Sequence, residues 1–502
     1  MATLRQAVDR HAQTQPEAPF LLAPESGTTL TYAALRTTAR ALGAELAAQG
    51  IAPGEVVSYM LPNGVAAASV FLGGMYAGYV VSPVSLLAQD ALLEHTLAHS
   101  ETRIVYAAPE FVARLMSIIE RVGSRAIVRP ASPDDLGLSE SADSSLPALV
   151  PGTPAMLMYT SGTTGKPKGA LLSHGNLIHA GRVVSAAHEL TPGDRVLSSL
   201  PLYHVNGQCI ATVAPLVSGG SVVMPHRFSV SQWWPLVERY RPTWLNVVPT
   251  IIAYHTNGPK LSAAQAAACR DVRFARSASA PLPPEHHRAF EARFGISVLE
   301  AMGLTECASV AFANPLDPAE RRLGSPGRPL GMEARVVAPD GAIRGDGERG
   351  EIELRGENVM LGYHKDPETT ARTLRPGGWL ATGDLGYRDA DGFYFITGRM
   401  KELIIKGGEN IAPREIDQAL LQHPAVLEAA AVGIPDKNYG EDILACVVLK
   451  PGAECSEAQL RDFCLRELGR YKTPKLFRFV EHLPKGPSGK VQRLKLADCA
   501  NH

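Results

Sequence analysis

Cysteine is scarce and follows no pattern. The seven are Cys209, Cys269, Cys307, Cys446, Cys455, Cys464 and Cys499 in 502 residues, and none forms a CxxC pair. An odd count without such pairs gives neither a disulfide framework nor a zinc site. A reducing compartment is the simplest expectation. An excess charge of either sign is missing as well: 49 Lys and Arg stand against 50 Asp and Glu, a net of −1. Without a global basic excess, nucleic acid and anionic membrane are not expected partners. The N-terminal "MATLRQAVDRHAQTQ" lacks the apolar run of a signal peptide, so a cytoplasmic location is expected. One stretch, Val56 to Gln89, lacks charge altogether and is long enough to cross a bilayer. Pro62, Gly64, Gly73, Gly74, Gly78 and Pro83 punctuate it, so it reads as strand, turn, buried helix and strand, with no membrane span. No internal repeat of fixed period is present.

What is present points to an α/β protein. At 502 residues the chain exceeds one ordinary core, so two or more domains are expected. Thr31 caps a helix with Leu35, Ala39, Leu42 and Leu46 at helical spacing, closing on Gly50. Strand-like runs then alternate with helices: "EVVSYML", "YVVSPV", "RIVYAA", "PAMLMYT", "RVLSSLP", "GSVVMP", "WLNVVP", "VRFARSAS" and "ISVLEAM". Such alternation implies parallel sheets covered on both faces. Between Glu333 and Gly356, Asp-Gly turns separate short alternating strands, which predicts a change to antiparallel pairing. The last hundred or so residues carry strand signals in "GFYFITG", "AAAVGI" and "ILACVVL" and a helix in "REIDQALLQHP".

The stretch "YTSGTTGKPKGALLSHGNL", Tyr159 to Leu177, concentrates hydroxyls, glycines and lysines. It follows an apolar strand and precedes a helix that Ser173 is placed to cap. Successive backbone N–H groups in such a turn bind an anion. Gly162 and Gly165 allow close approach, Thr160, Ser161, Thr163 and Thr164 supply donors, and Lys168 supplies charge. The common P-loop needs Ser or Thr after Gly-Lys, and here Gly165-Lys166 is followed by Pro167. A kinase or GTPase assignment fails at that residue.

The full string resembles the phosphate loop of the adenylate-forming enzymes, the family of acyl-CoA synthetases, carrier-protein adenylation domains and luciferases. The resemblance runs in order along nearly the whole chain: "PLYHVNGQ" (201–208), "SASAPL" (277–282), "AMGLTE" (301–306), "TGD" (382–384), "GRMKELIIKGGENIAP" (398–413) and "PSGKVQR" (487–493). It implies a large N-terminal domain over residues 1–398, with mixed βαβ sheets and a small antiparallel β-barrel-like part. A small, mobile α+β domain over 399–502 follows, with its hinge at Lys401.

The implied reaction transfers AMP from ATP to a carboxylic acid, releasing pyrophosphate, and then passes the acyl group to the thiol of coenzyme A. The resemblance assigns Thr160–Lys168 to the β- and γ-phosphates, Thr305 to the α-phosphate and Glu306 to Mg²⁺, a hard cation suited to oxygen ligands. Asp384 takes the ribose hydroxyls with Arg399 nearby, and Glu300, Ala301 and Met302 line the adenine site. Lys490 reaches in from the small domain to the α-phosphate and the carboxylate, where its charge meets electron density developing in the transition state. Gly407 and Gly408 let the pantetheine arm pass close to backbone, and His204 gates the acyl pocket. Singly, each has a plainer reading. Glu306 is then an exposed acid, Asp384 and the Gly407-Gly408 pair are turn residues, Lys490 is a solvated lysine and His204 a core histidine. Order and spacing favour the functional set.

Two positions depart from the family's commonest pattern. Met302 stands where an aromatic residue often stacks on adenine, and Ala278 stands where glycine is frequent, which narrows the pocket toward a small acid. Val205, Asn206, Gly207, Asn246, Val248, Pro249, Ser277, Cys307 and Ala308 are further pocket candidates. Arg276 would meet an anionic substrate tail if it pointed inward; with its strand direction unread, a solvated arginine is the expectation. A short fatty acid, an aromatic acid and a functionalised acid such as a dicarboxylate or sulfonate all stay open. So do a homodimer and a separate carrier protein as acyl acceptor in place of coenzyme A.

Overall fold

Thr31 opens the first long helix: its hydroxyl accepts from the Ala34 N–H, and Tyr32–Ala48 buries Leu35, Ala39, Leu42 and Leu46 along one stripe. That stripe lies on the helix Val65–Ala77, every residue of which is buried. Gly73 makes the approach close, since a Cβ there would lie 3.2 Å from the Ala39 Cα. A helix apolar on all sides needs cover on all sides, which explains its lack of charge. The uncharged stretch is therefore strand Val56–Met60, this helix, and strand Val80–Pro83. Among the described residues, no helix is long and apolar enough to cross a membrane. The structure is a computed structural model and describes residues 1–138, 145–160, 167–485 and 491–498.

Two large sheets flank that helical layer. A nine-stranded sheet runs Arg328–Pro329, Phe312–Ala313, Val298–Met302, Phe274–Ser277, Trp244–Val247, Arg195–Leu197, Ser221–Val223, Pro19–Leu22, Thr29–Thr31. A seven-stranded sheet runs Gly362–Tyr363, Lys168–Ser173, Pro154–Thr160, Val80–Pro83, Val56–Met60, Ile104–Ala107, Ile127–Pro130. Their centres are parallel, as alternation with helices predicts. Antiparallel pairs lie at edges: Phe312–Ala313 and Thr29–Thr31 in the nine-stranded sheet, and the hairpin arms Pro154–Thr160 and Lys168–Ser173 in the seven-stranded one, whose other edge, Ile104–Ala107 with Ile127–Pro130, is parallel. The second arm of that hairpin carries no strand signal of its own, being only "KGALLS". Ser173 then caps the helix His174–Ala187 in a reciprocal capping box with Asn176.

An antiparallel sheet of Glu333–Val337, Gly350–Arg355, Trp379–Arg388 and Leu374–Arg375 follows, with Tyr394–Arg399 added on Trp379–Arg388. The C-terminal sheet pairs Val426–Asp436 with Gly440–Leu449 and carries Ile404–Lys406, Glu409–Ile411 and Leu476–Phe479. Its own core, with Ile416, Leu420, Ile443, Ala445 and Leu460, is separate from that of the large sheets. The chain is thus an α/β protein with a smaller C-terminal unit built on antiparallel strands.

Candidate active site

The hairpin arms that precede Ser173 form the stem of the candidate phosphate loop. Thr160 pairs with Lys168, and the intervening Ser161, Gly162, Thr163, Thr164 and Gly165 lie outside the described residues. Lys168 stands at the mouth of the stem with its Nζ 5.2 Å over the Tyr363 ring. Partial burial lowers its pKa first, with Lys401 adding to the effect. Two histidines brace the stem from behind: His95 Nε2 lies 2.9 Å from the Pro167 carbonyl, and His99 Nδ1 lies 2.8 Å from the Tyr159 hydroxyl. Neither has a motif that singles it out in the sequence.

The strand Val298–Met302 delivers the second wall. At Gly303 the chain crosses itself so tightly that a Cβ would lie 2.0 Å from the Ser309 carbonyl oxygen. Only glycine fits there, and the turn presents Thr305 and Glu306 in a single 3₁₀ turn, Thr305–Cys307. Glu306 Oε1 accepts a 2.8 Å hydrogen bond from the Tyr363 hydroxyl. Cys307 is buried behind it, its thiol pushed up to about 12 by burial. Met302 is half-buried at the strand's end and Ala301 is buried.

Glu300 is fully buried on the same strand. One carboxyl oxygen accepts from the Leu282 N–H at 3.2 Å, and the other has no partner among the described residues. Burial pushes its pKa up to about 7, with Leu282 and the charge of Arg414 opposing the rise. The folded chain therefore holds a proton on Glu300 at pH values where the unfolded chain has released it. Stability from this group is fully present below the ordinary value of 4.5 and is lost as pH rises through about 7. Glu300→Gln is expected to be insensitive to that loss. Its stability relative to wild type should climb by about 3 kcal/mol between acid and mildly alkaline pH. Denaturant titrations across that window check it, and a flat difference would refute it.

Asp384 is buried on Trp379–Arg388, directly across from Arg399 on Tyr394–Arg399. Arg399 Nε donates to its Oδ1 at 2.6 Å. Burial works against the Arg399 charge, and Asp384 outweighs it, so the guanidinium pKa is raised. Arg399 also feels Glu306, Arg414 feels both Glu300 and Asp384, and Lys168 feels Glu306. The fold therefore brings the hairpin stem, the Thr305–Glu306 turn and the Asp384–Arg399 pair to one place.

Most of the candidate acyl residues are buried near one another. Val205, Asn206 and Gly207 open a π-helix, Asn206–Val213, and Gly207 packs so closely that a Cβ would lie 2.5 Å from the Pro201 carbonyl oxygen. Asn246, Val248, Ser277 and Ala278 are buried at the ends of the adjoining strands. His204 is half-buried just before the π-helix.

Arg276 overturns the expectation of a solvated side chain. Its strand pairs it with Asn246 and Leu299 in the middle of the nine-stranded sheet, and it is 2% exposed. It shares a face with Phe274, which packs in the core beneath the π-helix, whereas Ala275 faces the helices on the other side. Arg276 Nη1 reaches Asn206 Oδ1 only at 3.5 Å, its Nε has no partner, and no carboxylate among the described residues is in ion-pair range. Asn246 Nδ2 donates to the same Asn206 oxygen at 3.1 Å, and Asn246 Oδ1 is unpartnered. Burial lowers the Arg276 pKa to about 9, so the group stays charged at neutral pH. A buried, charged, under-bonded guanidinium beside unpartnered polar atoms is chemically unfinished. An anion would complete it.

In the C-terminal unit, Lys401 lies exposed in the 3₁₀ turn Met400–Glu402. Gly407 and Gly408 form the two-residue turn between Ile404–Lys406 and Glu409–Ile411, with φ of +56° and +88°. Two successive positive φ values favour glycine at both. Beneath that turn Lys406 is buried with Asp442 at 2.6 Å, between the rings of Tyr439 and Tyr471. Lys490 lies outside the described residues.

Comparison with known proteins agrees with this geometry. The model of the AMP-binding enzyme family matches residues 8–364, and that of the AMP-binding enzyme C-terminal domain matches residues 415–490. A sulfoacetate–CoA ligase of Cupriavidus necator is 56% identical over 99% of this chain and 98% of its own length. An oxalate–CoA ligase of Arabidopsis thaliana is 34% identical over 92% of each. Among solved structures, ATP-bound MatB from Rhodopseudomonas palustris is 32% identical, covering 99% of this chain and 98% of its own, with a TM-score of 0.90. The apo form of that enzyme superposes less well, at 0.79 with the same coverage.

Proposed function

The chain belongs to the AMP-binding enzyme family and is an ATP-dependent acid–CoA ligase, and from that premise we propose that its acid is small and carries a second, permanently anionic group read by Arg276. A two-carbon sulfonated acid of the sulfoacetate class is the substrate that fits best. The observation that carries this is the buried guanidinium without a carboxylate partner among the described residues. A sulfonate offers its fork three oxygens in a geometry close to that of phosphate. Around it Asn206 Nδ2 donates to Ser279 Oγ and Asn246 Nδ2 to Asn206 Oδ1, so the guanidinium is left as the donor for the anion. The 56% identity to a sulfoacetate–CoA ligase supports the same class. The weaker likeness to an oxalate–CoA ligase is consistent with a small acid bearing two anionic groups.

In the first step a carboxylate oxygen attacks the α-phosphorus of ATP, the bond to the β-phosphate bridging oxygen breaks, and pyrophosphate leaves. In the second, the thiol of coenzyme A loses its proton and attacks the acyl carbon, and the acyl–phosphate oxygen bond breaks to release AMP. Arg276 would hold the far anion so that the carboxylate points at the phosphate, which converts binding energy into orientation. Thr160 to Lys168 would take the β- and γ-phosphates, Thr305 the α-phosphate, Asp384 the ribose, and Glu300 to Met302 the adenine. Mg²⁺ fits the donor set, because Glu306 offers a carboxylate whose Oε2 has no bond among the described residues and one carboxylate with substrate phosphates is the usual way Mg²⁺ is held. When bound, it would neutralise charge on the phosphate oxygens.

The division at about residue 399 belongs to the same proposal. Lys490 would serve the first step and Gly407-Gly408 the second, with Lys401 as hinge and His204 as gate. The higher score against the ATP-bound relative supports an adenylating arrangement of the two parts. Among the described residues no two cysteines form a disulfide, which supports a cytoplasmic location.

Acid-dependent exchange of pyrophosphate into ATP, run over a panel of acids, tests the substrate. Sulfoacetate is expected to exceed acetate in kcat/KM by about 10³-fold or more, because a site built around a polar group rejects the analogue lacking it. Equal rates for the two, or preference for an uncharged acid, would refute it.

A further inference from the structure

The residues from 358 to 364 tie the two phosphate-facing walls together. Asn358 Nδ2 donates to the Cys307 and Val310 carbonyls, each at 2.8 Å. The Met360 N–H donates to the Glu306 carbonyl at 2.8 Å. Leu361 and His364 then donate to Leu171 and Gly169 on the second arm of the phosphate hairpin, at 2.9 and 2.7 Å. At the end of this strap Tyr363 pairs with Ala170, and its own N–H is held by Thr370 Oγ1 at 2.8 Å. Gly362, at φ +146°, makes the approach possible, since a Cβ there would lie 2.8 Å from Thr370 Cγ2.

The Tyr363 side chain stands between two opposite charges. Its hydroxyl donates to Glu306 Oε1 at 2.8 Å, and its ring lies 5.2 Å beneath Lys168 Nζ. Lys168 has no carboxylate in ion-pair range among the described residues, although it feels Glu306 and Asp366 electrostatically. Free to approach each other, an ammonium and a carboxylate would pair and cancel. A ring face for one and a hydroxyl for the other satisfies each separately.

We propose that Tyr363 is a positioning residue for adenylation: its hydroxyl orients the Glu306 carboxylate, its ring seats the Lys168 ammonium, and the two charges are kept apart for the triphosphate and its cation. This rests on the assignment of Lys168 and Glu306 to those groups.

Tyr363→Phe removes the hydroxyl and keeps the ring, and Tyr363→Leu removes both. ATP binding is measured by calorimetry with and without Mg²⁺, alongside the Mg²⁺ dependence of pyrophosphate exchange, thioester formation from supplied acyl-adenylate, and melting temperature. Tyr363→Phe should raise the half-saturating Mg²⁺ concentration about tenfold, as for loss of a hydrogen bond to a charged group. Its Mg²⁺-free ATP affinity and its thioester step should match wild type. Tyr363→Leu should additionally weaken Mg²⁺-free ATP binding about threefold. Glu306→Gln is the control. If Glu306→Gln shifts the Mg²⁺ curve and Tyr363→Phe does not, the role of Tyr363 is refuted alone. If neither shifts it, the assignment of Glu306 fails and the proposal with it. Equal loss of both half-reactions by Tyr363→Phe, with a lowered melting temperature, would mark the residue as merely structural.

Discussion

Arg276→Leu is expected to lower kcat/KM for a sulfonated acid by about 10³-fold, equivalent to about 4 kcal/mol, the scale of breaking a buried charge pair. The slow reaction with acetate should be unchanged or faster. The melting temperature of the free enzyme should hold or rise, because the change removes a buried charge that has no carboxylate partner among the described residues. These directions oppose each other in a way that a structural role does not allow: a core residue that only packs would lose stability and all activities together. Arg276→Lys keeps the charge without the fork and should recover part of the loss. Steady-state kinetics on both acids, with thermal melts of both variants, decide it. Equal losses on acetate and the sulfonate would remove Arg276 from the substrate site.

The second large effect is expected at Lys490. Lys490→Ala should reduce acid-dependent pyrophosphate exchange by about 10³-fold or more, on the scale of removing a preorganised charge from the transition state. Thioester formation from supplied acyl-adenylate should stay within about twofold, since on the proposed alternation pyrophosphate has already left and the glycine turn at 407 and 408 would face the reaction instead. Single-turnover assays of the two half-reactions separate the outcomes. If both fall equally, one lysine serves both steps and the alternation of the small domain is the wrong account.

Much of the site was legible along the chain because its pieces are local. The stem at Thr160 and Lys168, the turn at Gly303 to Glu306 and the Gly407-Gly408 hairpin are each set by a few consecutive residues whose glycines and hydroxyls have one reasonable conformation. The buried helix Val65–Ala77 was legible for the same reason, through its missing charge and its flanking glycines. What escaped was long-range. Tyr363 lies 57 residues from Glu306, and no spacing rule links them. His95 and His99 brace a hairpin 72 and 60 residues away and look like ordinary helix-surface residues in sequence. The second hairpin arm was unread because "KGALLS" opens with a lysine and a glycine, and only its partner makes it a strand.

By itself, the amino-acid sequence determined the α/β class and the adenylate-forming chemistry and marked the candidates for holding phosphate, because hydrophobic period, glycine placement and ordered motifs are properties of neighbours in the chain. The tertiary structure alone decided that Arg276 is buried and that Tyr363 stands between Lys168 and Glu306. The physical reason is the same for both. A strand's alternation tells which residues share a face but not which face is inward, and that is settled only when the sheet closes against the elements that cover it.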